Sequence, residues 1–440
     1  MKISLFVEIP VPQPWDEGSE LDAFDNNLKW MQLADEAGFH AVWCTEHHFL
    51  EEYCHASAPE VFLGAVSQRT KNLRLGHGIV HMPPGINHPA RVAERISTLD
   101  LVSHGRVEFG TGEASSVAEL GGFNVDPGKK RDMWREAAVV ATRCMTERPF
   151  TGFDGDHVSM PARNVVPKPV QKPHPPLWVA CTRHATIQMA ADNAIGALSF
   201  SFVGPDECEA LAHDYYARLE DATPLVPGIN PNILFTAGDL MCAPTDEEAE
   251  RRIGPAGGFF GYGITYYYVW GRHRPGQVNL WQNYLASLDQ AEQPKPDAQG
   301  DRKDWQRHGE AAKERRGRGG VGSPQTVRDW CRRYEDAGVD QLMFLLPPVR
   351  SEIVMESIEL MGRKVIPEFH ERHEERAAAK AERLGPVVER IESRRRSDAP
   401  PLDPDYEFGG VPEAWDHGSR ADEVELAMAQ AAKLAAEKRS

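Results

Sequence analysis

The feature that most constrains this chain is an alternation. Short runs of strand-forming residues are separated by stretches in which apolar side chains recur at helical spacing. The runs fall at 3–9, 40–45, 73–80, 105–112, 176–181, 196–203, 231–242 and 341–348, and helical periodicity marks 23–38, 58–70, 88–103, 128–145 and 183–194. Strand, helix and strand in that order build right-handed βαβ units and a mainly parallel sheet. Eight such units predict a (β/α)8 TIM barrel. A doubly wound sheet is the alternative, but the GxGxxG turn that usually opens one is missing after the first strand.

Two segments fall outside the repeat. Residues 254–322 begin with the aromatic "GPAGGFFGYGITYYYVWGRHRPG" and continue as polar, charged chain. This is too long for an ordinary connection. Its aromatic half reads as a lid or pocket wall built from rings that include Phe259, Phe260, Tyr266, Tyr267, Tyr268 and Trp270, with a satellite core or subunit interface as the alternative. From residue 373 the chain is rich in Ala, Glu, Lys and Arg, which reads as peripheral helices flanking an extended arm. The expected organisation is a barrel domain over 1–372, a long insertion (about 254–322) before its last βα unit, and a C-terminal extension over 373–440.

Composition narrows the function classes. Lys and Arg total 49 against 66 Asp and Glu, a formal charge of −17, so nucleic acid and anionic membrane surfaces are repelled. No apolar run approaches the roughly 20 residues that cross a bilayer. The start "MKISLFVEIPVPQP" is broken by Glu8 and prolines and does not read as a signal peptide. Seven dispersed cysteines with no CxxC pair suit reduced thiols in a cytoplasm.

In a TIM barrel, functional groups gather where strands end and loops begin. Four polar clusters occupy such positions. "WCTEHHFLEEY" carries Glu46, His47, His48 and Phe49 past the second strand, and "GHGIVHMPP" carries His81 past the third. "GTGEASS" carries Gly110, Thr111, Gly112 and Glu113 past the fourth, and "CTRH" follows the fifth. The adjacent histidines could be metal ligands, an acid/base pair, or hydrogen-bonded packing residues. Adjacent side chains on a strand point to opposite faces, and no HxH, HExxH or Cys/His ligand set accompanies them, so no metal is expected. The other two readings stay open.

The glycines of "FGTGEASS" could form only a tight turn, or could let backbone approach a planar ring or a phosphate. Lys129, Lys130 and Arg131 fall in the first turn of a helix. Positive charge there opposes the helix dipole, which makes sense where an anion sits at that N-terminus; a solvated basic turn is the alternative. Thr182 and Thr186 could add hydroxyl donors, or serve as ordinary helix caps.

With these residues in view, the chain resembles the bacterial luciferase-like family of flavin-dependent monooxygenases, from its N-terminus to about residue 370. The likeness is carried by "AGFHAVWCTEHHF" (37–49), "LRLGHGIVHMPPGINHPARVAERISTLDLVSHGRVEFGTG" (73–112), "PPLWVACTRHATIQMAADNAIG" (175–196) and "GSPQTVRDWCRRYEDAGVDQLMF" (322–344). The resemblance implies a TIM barrel that takes reduced FMN from a separate NAD(P)H:flavin reductase. It also implies that O2 adds to that flavin, giving a C4a-(hydro)peroxyflavin that oxygenates a small hydrophobic organic substrate.

Carried over by position, His47 matches the family's catalytic histidine, with Glu46 and His48 completing its motif. Gly78–Ile79 falls where relatives often have a non-prolyl cis peptide against the flavin ring. Gly110, Thr111, Gly112, Ala180 and Cys181 are the further expected flavin contacts. Lys130, Arg131, Thr182 and Thr186 are the expected phosphate side. Phe49, His81, Glu113, Tyr267 and Trp270 are the expected substrate contacts. One departure stands out: the luciferases have a phosphate-contacting arginine after the fourth strand, where this chain has Glu113. Either Glu113 turns toward substrate, or Lys129 and Lys130 compensate. That departure keeps open a hydride-transferring enzyme using the deazaflavin F420; a non-catalytic flavin-binding homologue is a separate alternative, since the resemblance extends to family members without activity. A cytoplasmic homo-oligomer, dimer or tetramer, is expected.

Overall fold

Eight parallel strands close on themselves in this computed structural model, which describes residues 1–200, 202–289, 319–395, 399–408, 425 and 427–433. They are β1 (Lys2–Val7), β2 (Ala41–Cys44), β3 (Arg74–His77), β4 (Val107–Gly112), β5 (Leu177–Cys181), β6 (Gly196–Ser199), β7 (Ile233–Cys242) and β8 (Gln341–Leu345). Each pairs with its neighbours in chain order, and β8 pairs with both β7 and β1, which closes the ring. The expected TIM barrel is the observed fold.

The connections are helical. The helices up to the sixth strand are α1 (Ser19–Glu36), α2 (Pro59–Ser67), α3 (Pro89–Val102), α4 (Val117–Gly122), α5 (Lys130–Thr146) and α6 (His184–Asp192). Next come α7 (Pro205–Leu219), α8 (Asp246–Ile253), α9 (Phe259–Thr265) and α10 (Leu280–Asp289). After the insertion follow α11 (Pro324–Asp336), α12 (Ser351–Lys364), α13 (Ile366–Glu371) and α14 (His373–Ser393).

Alternation along each strand sorts side chains into two cores. Ile3, Leu5 and Val7 of β1, and Leu177, Val179 and Cys181 of β5, pack outward beneath the helices. Phe6, Trp43, Trp178, Leu198, Leu234, Met343 and Leu345 fill the barrel interior. There the Trp43 and Trp178 rings meet edge to face at 5.5 Å. Small residues opposite them are required by space. A Cβ on Gly76 would lie 2.5 Å from the Trp43 ring, and one on Gly110 would lie 1.9 Å from the His77 carbonyl oxygen. The glycines of β4 therefore admit the barrel's own third strand. We expect Gly110→Ala to destabilise the protein by about 3 kcal/mol, at the upper end of overpacking costs; urea unfolding with an unchanged midpoint would rule that packing role out.

The insertion starts after α8. It runs through α9 and a single π-helical turn (Tyr266–Trp270) to α10, and returns at a short strand, Gly320–Gly322, paired with the end of β7. Its charged half, 290–318, lies outside the described residues. Buried Glu52 ties the aromatic half down, accepting backbone N–H groups from Gln13 (2.8 Å), Trp281 (3.1 Å) and Leu280. Helix α14 buries Leu384, Val387 and Ile391 in the outer core. Its Lys380 ammonium bridges Asn232 (2.7 Å) and Asp340 (2.6 Å), just before β7 and β8. One compact unit spans Met1–Asp398, and residues from Ala399 form a second.

Candidate active site

The site begins where β2 ends. After Cys44 the chain leaves the barrel rim, and the His47 amide is fixed by the Ala56 carbonyl at 3.1 Å. Two carboxylates then orient the two imidazoles. His47 Nδ1 lies 2.9 Å from Glu119 Oε1, which also accepts the His48 backbone N–H at 3.1 Å. His48 Nε2 lies 3.0 Å from Glu46 Oε1.

Glu119 comes from α4, a helix that none of the expected periodic stretches included. Its placement follows from a local signal, Ser116-x-x-Glu119, the spacing of a capping box. Ser116 Oγ accepts the Glu119 N–H at 3.1 Å and donates to Glu119 Oε2 at 2.5 Å, leaving Oε1 for His47. That motif was readable in the sequence; the imidazole it would meet was not.

Glu46 is held harder still. It accepts the His81 backbone N–H (3.0 Å) and the Asn87 amide (2.7 Å) in addition to His48. Asn87 is fixed in turn by Arg95 at 2.5 Å, and Arg95 by Glu60. Glu46 is thus the anchor of the rim, with its carboxyl held below its usual pKa: burial pushes the other way, but the His48 hydrogen bond and nearby His81 outweigh it.

Electrostatics separates the two faces of His47. Burial disfavours its charge, but the carboxylates of Glu119 and then Glu8 outweigh that and carry its pKa up to about 9. Burial would raise Glu119, but His47 brings it down to about 2. On the other side, His47 Nε2 lies 4.0 Å from Glu8 Oε2. Burial drives the Glu8 carboxyl up to about 7 against the pull of His47. The His47 ring stands 5.9 Å from those of Tyr53 and His81, and 6.4 Å from Tyr268 of the insertion. His81 is buried and its pKa is lowered by that burial.

Among the described residues two groups bring three ligand-type atoms within 4.8 Å, Glu46–His48–His81 and His47–His81–Glu119. Their carboxylates already accept hydrogen bonds from the protein.

Several expected contacts need correction. Thr111 and Cys181 face outward: the Thr111 hydroxyl donates to the Trp178 carbonyl (2.8 Å) and accepts the Trp134 indole N–H (3.0 Å), and Cys181 is fully buried. Strand alternation that puts Gly110, Gly112 and Ala180 inward necessarily turns these two away. The Glu113 carboxylate turns toward the first turn of α5. Arg131 Nε donates to its Oε1 at 2.9 Å, Lys130 Nζ lies 3.7 Å from its Oε2, and Lys129 takes no part in either contact. Tyr267 stacks between Tyr53 and His273, and Trp270 packs on Tyr262 and Tyr266 inside the insertion. Of the insertion rings expected to wall the cavity, Phe259 and Phe260 line the adjoining cleft. Phe49 is 53% exposed and lies against Phe123 and His48.

The Gly78–Ile79 peptide is cis. The Gly112 position faces Ile79, so the inner wall of β4 abuts this peptide. Lys130 and Arg131 meet Glu113, and Arg183 is near enough to act electrostatically on Lys130. Thr182 and Arg183 are exposed at the start of α6, and Thr186 is buried in its first turn. Set against the one Glu113 carboxylate, the three positive charges leave a surplus that suits a phosphate dianion, so these residues fit the phosphate end of a flavin nucleotide.

A closed parallel barrel with a buried acid–imidazole network at the C-terminal mouth of its strands is an enzyme frame of TIM-barrel type. A family profile described as luciferase-like monooxygenase matches residues 1–341. The chain belongs to the luciferase-like monooxygenase family, a class of oxidoreductases. It is 24% identical over 381 residues to the oxygenase component of a flavin-dependent trigonelline monooxygenase from Acinetobacter baylyi, covering 84% of this chain and 96% of that one. An uncharacterized protein of Sinorhizobium fredii is 34% identical over 233 residues, 53% of this chain and 66% of the relative.

Among solved structures, the FMN complex of the oxygenating constituent of 3,6-diketocamphane monooxygenase from Pseudomonas putida superposes with a TM-score of 0.61. That match has 20% identity and covers 83% of this chain and 98% of that one. An F420-dependent secondary alcohol dehydrogenase gives 0.60 at 16% identity, again covering 83% and 98%. At these identities the structural likeness shows the fold. No helix among the described residues is long and apolar enough to cross a membrane.

Proposed function

We propose that this protein is the oxygenase component of a two-component monooxygenase, taking reduced FMN from a separate NAD(P)H:flavin reductase and inserting one oxygen atom from O2 into a small, largely apolar organic substrate. The observation that carries this reading is His47, held between Glu119 and Glu8 at the barrel mouth in a chain of this family. The relative from Acinetobacter, itself named an oxygenase component, supports the division of labour. Bound reduced flavin would supply the electrons that activate O2.

The chain's own residues do the rest. With a flavin nucleotide bound, Lys130, Arg131, Arg183 and Thr182 would hold the phosphate, and the Gly78–Ile79 peptide and Ala180 would face the ring system. Glu119 engages Nδ1 of His47, so proton exchange takes place at Nε2. With a pKa near 9, His47 enters the reaction as an acid at neutral pH. Tyr53, Phe260 and Tyr268 keep bulk water from that proton. A cytoplasmic homo-oligomer completes the reading.

The test is to mix the purified protein with reduced FMN, or with reduced F420, and then with ¹⁸O2 and a substrate panel. One ¹⁸O atom in the product with FMN alone is the expected result. Hydride transfer from F420 without oxygen incorporation would replace this reading with the deazaflavin one, and no turnover with either would favour a flavin-binding homologue.

Glu113 supplies a second check on the phosphate site. Since it competes for Arg131 and Lys130, Glu113→Gln should tighten FMN binding about 3- to 10-fold, and Arg131→Ala should weaken it about 10-fold. Fluorescence titration reads both, and a Glu113→Gln variant that binds FMN more weakly would place the phosphate elsewhere.

A further inference from the structure

A proton given up at Nε2 of His47 has to be replaced before the site can react again. The two carboxylates paired with the adjacent histidines are ill placed to replace it. Glu46 already accepts hydrogen bonds from His48, His81 and Asn87. Glu119 meets the other ring nitrogen of His47 and also accepts from Ser116 and the His48 amide. Burial would raise Glu119, but His47 holds it at about 2, so it stays ionised.

Glu8 is different. It follows β1 with the inward parity of Phe6, is 6% exposed, and its buried Oε2 accepts no hydrogen bond. That oxygen lies 4.0 Å from Nε2 of His47, so a shift of about 1 Å brings the two atoms into hydrogen-bond range. Its Oε1 accepts the Tyr53 hydroxyl at a long 3.4 Å. The titratable groups that act on Glu8 are His47, Cys54, Tyr53 and Glu119, joined by Cys44 at the end of β2 and Tyr268 of the insertion. Asp239 of β7 lines the same cleft as Glu8. Of all these groups His47 alone carries positive charge. The cleft, at the ends of β1, β7 and β8, has room for about one water molecule, which gives Glu8 a route to protons separate from the mouth in front of His47.

We infer that Glu8 returns a proton to Nε2 of His47 after each turnover, relaying it from water to the imidazole. The inference rests on the proposed monooxygenase reading and adds a proton path to it. Under that reading flavin and substrate occupy the mouth, so His47 has no direct exchange with bulk water while they are bound. Neutral His47 keeps its Nδ1–H on Glu119, which leaves the Nε2 lone pair toward Glu8. The Glu8 O–H bond then breaks as the Nε2–H bond forms, giving a carboxylate beside an imidazolium. Glu8 regains its own proton from water when His47 next becomes neutral.

The coupling between the two groups times this exchange. Burial drives Glu8 up to about 7 against the pull of charged His47. Once His47 is neutral that pull is gone, and burial favours the protonated carboxyl the imidazole needs.

Infrared difference titration of the full chain without flavin tests the coupling directly. Wild type should show a protonated buried carboxyl that ionises near pH 7 and is absent from Glu8→Gln. In His47→Ala its midpoint should rise by about 1–3 units, because the opposing charge is gone. Turnover is then followed with FMN, a flavin reductase and whichever member of the ¹⁸O2 panel yields product. Glu8→Gln should give a burst of one product per site, then a steady rate about 10²-fold below wild type, the low end of acid–base effects. Added formic acid should restore part of that rate, and Glu8→Asp should fall between the two. A carboxyl that only shapes the loop would lower burst and steady rate together, without rescue.

Thermal melts confirm folding; if Glu8→Gln does not fold, the infrared shift in His47→Ala and the Glu8→Asp rate carry the test. A carboxyl midpoint that stays put in His47→Ala, or an unchanged steady rate in folded Glu8→Gln, overturns the inference. Oxygenation by wild type without the infrared coupling removes only the relay. Infrared coupling in a wild-type protein that oxygenates nothing removes the monooxygenase reading and leaves the proton pair standing.

Discussion

Under the proposed function, replacing His47 with alanine is expected to lower kcat/KM for oxygenation by about 10²–10⁴-fold, the range of a lost general acid, with the Kd for reduced FMN unchanged within a few-fold. The reason is positional. Nδ1 is committed to Glu119, which leaves Nε2 as the atom for proton transfer in the proposed reaction, and the other two imidazoles nearby are held elsewhere. His48 is tied to Glu46, and His81 sits buried with its Nε2 3.9 Å from Glu119. The backbone at residue 47 is fixed by the Ala56 carbonyl and not by the side chain, so the variant keeps the loop. Rapid-mixing kinetics with separate flavin and product readouts distinguishes the outcomes. Full turnover in this variant would sink the assignment; loss of flavin binding would show that His47 holds the cofactor.

The second large effect falls on Glu119. Glu119→Gln keeps the shape and one acceptor oxygen but removes the charge that raises His47. An opposite charge at this distance moves a pKa by about 1–3 units. The alkaline limb of the pH–kcat/KM profile should therefore shift from near pH 9 to lower pH by that amount, as burial then outweighs the remaining attraction of Glu8. A carboxylate that only packs the loop would lower the whole profile without moving the limb.

Stability follows the same pair. The folded pKa of His47 is raised, so its contribution is complete below about pH 6.5 and is lost as pH rises through about 9. The folded pKa of Glu119 is depressed, so its contribution is complete above about pH 4.5 and is lost as pH falls through about 2. Breaking a buried pair by removing one partner costs about 3–5 kcal/mol, so Glu119→Ala should unfold at clearly lower urea than wild type. An unchanged midpoint would mean that the pair is not formed in solution.

Much of the mouth was legible in one dimension because strand ends are local. Period-2 runs, helical runs and turn residues located β1 to β8, and barrel geometry then required their C-terminal loops to share one rim. That was enough to bring Glu46, His47, His48 and His81 together. Thr111 and Cys181 were misread at the next level down. Both lie at the correct strand ends, but side-chain parity within a strand turns them outward, beneath α5 and the other helices.

Glu113 shows a different limit. Its charge was a visible departure, yet whether it faced substrate or cation depended on where α5 begins relative to β4. Helix α5 brings Arg131 and Lys130 to it. Tyr267 and Trp270 were chosen from an aromatic run in which only packing decides which rings reach the cleft, and the π-helical turn through Tyr266–Trp270 turns Trp270 onto its own neighbours.

The sequence by itself determined the barrel, the four clusters on its rim and the imidazoles among them, because hydrophobic period and turn chemistry act between near neighbours in the chain. Only the tertiary structure decided which carboxylate each imidazole meets. Glu119 lies 72 residues from His47 in the chain, and Glu8 and Asp239 enter the same mouth from β1 and β7. Pairings over such separations are set by barrel closure and by the expense of leaving charge buried and unmatched, and neither leaves a period to read.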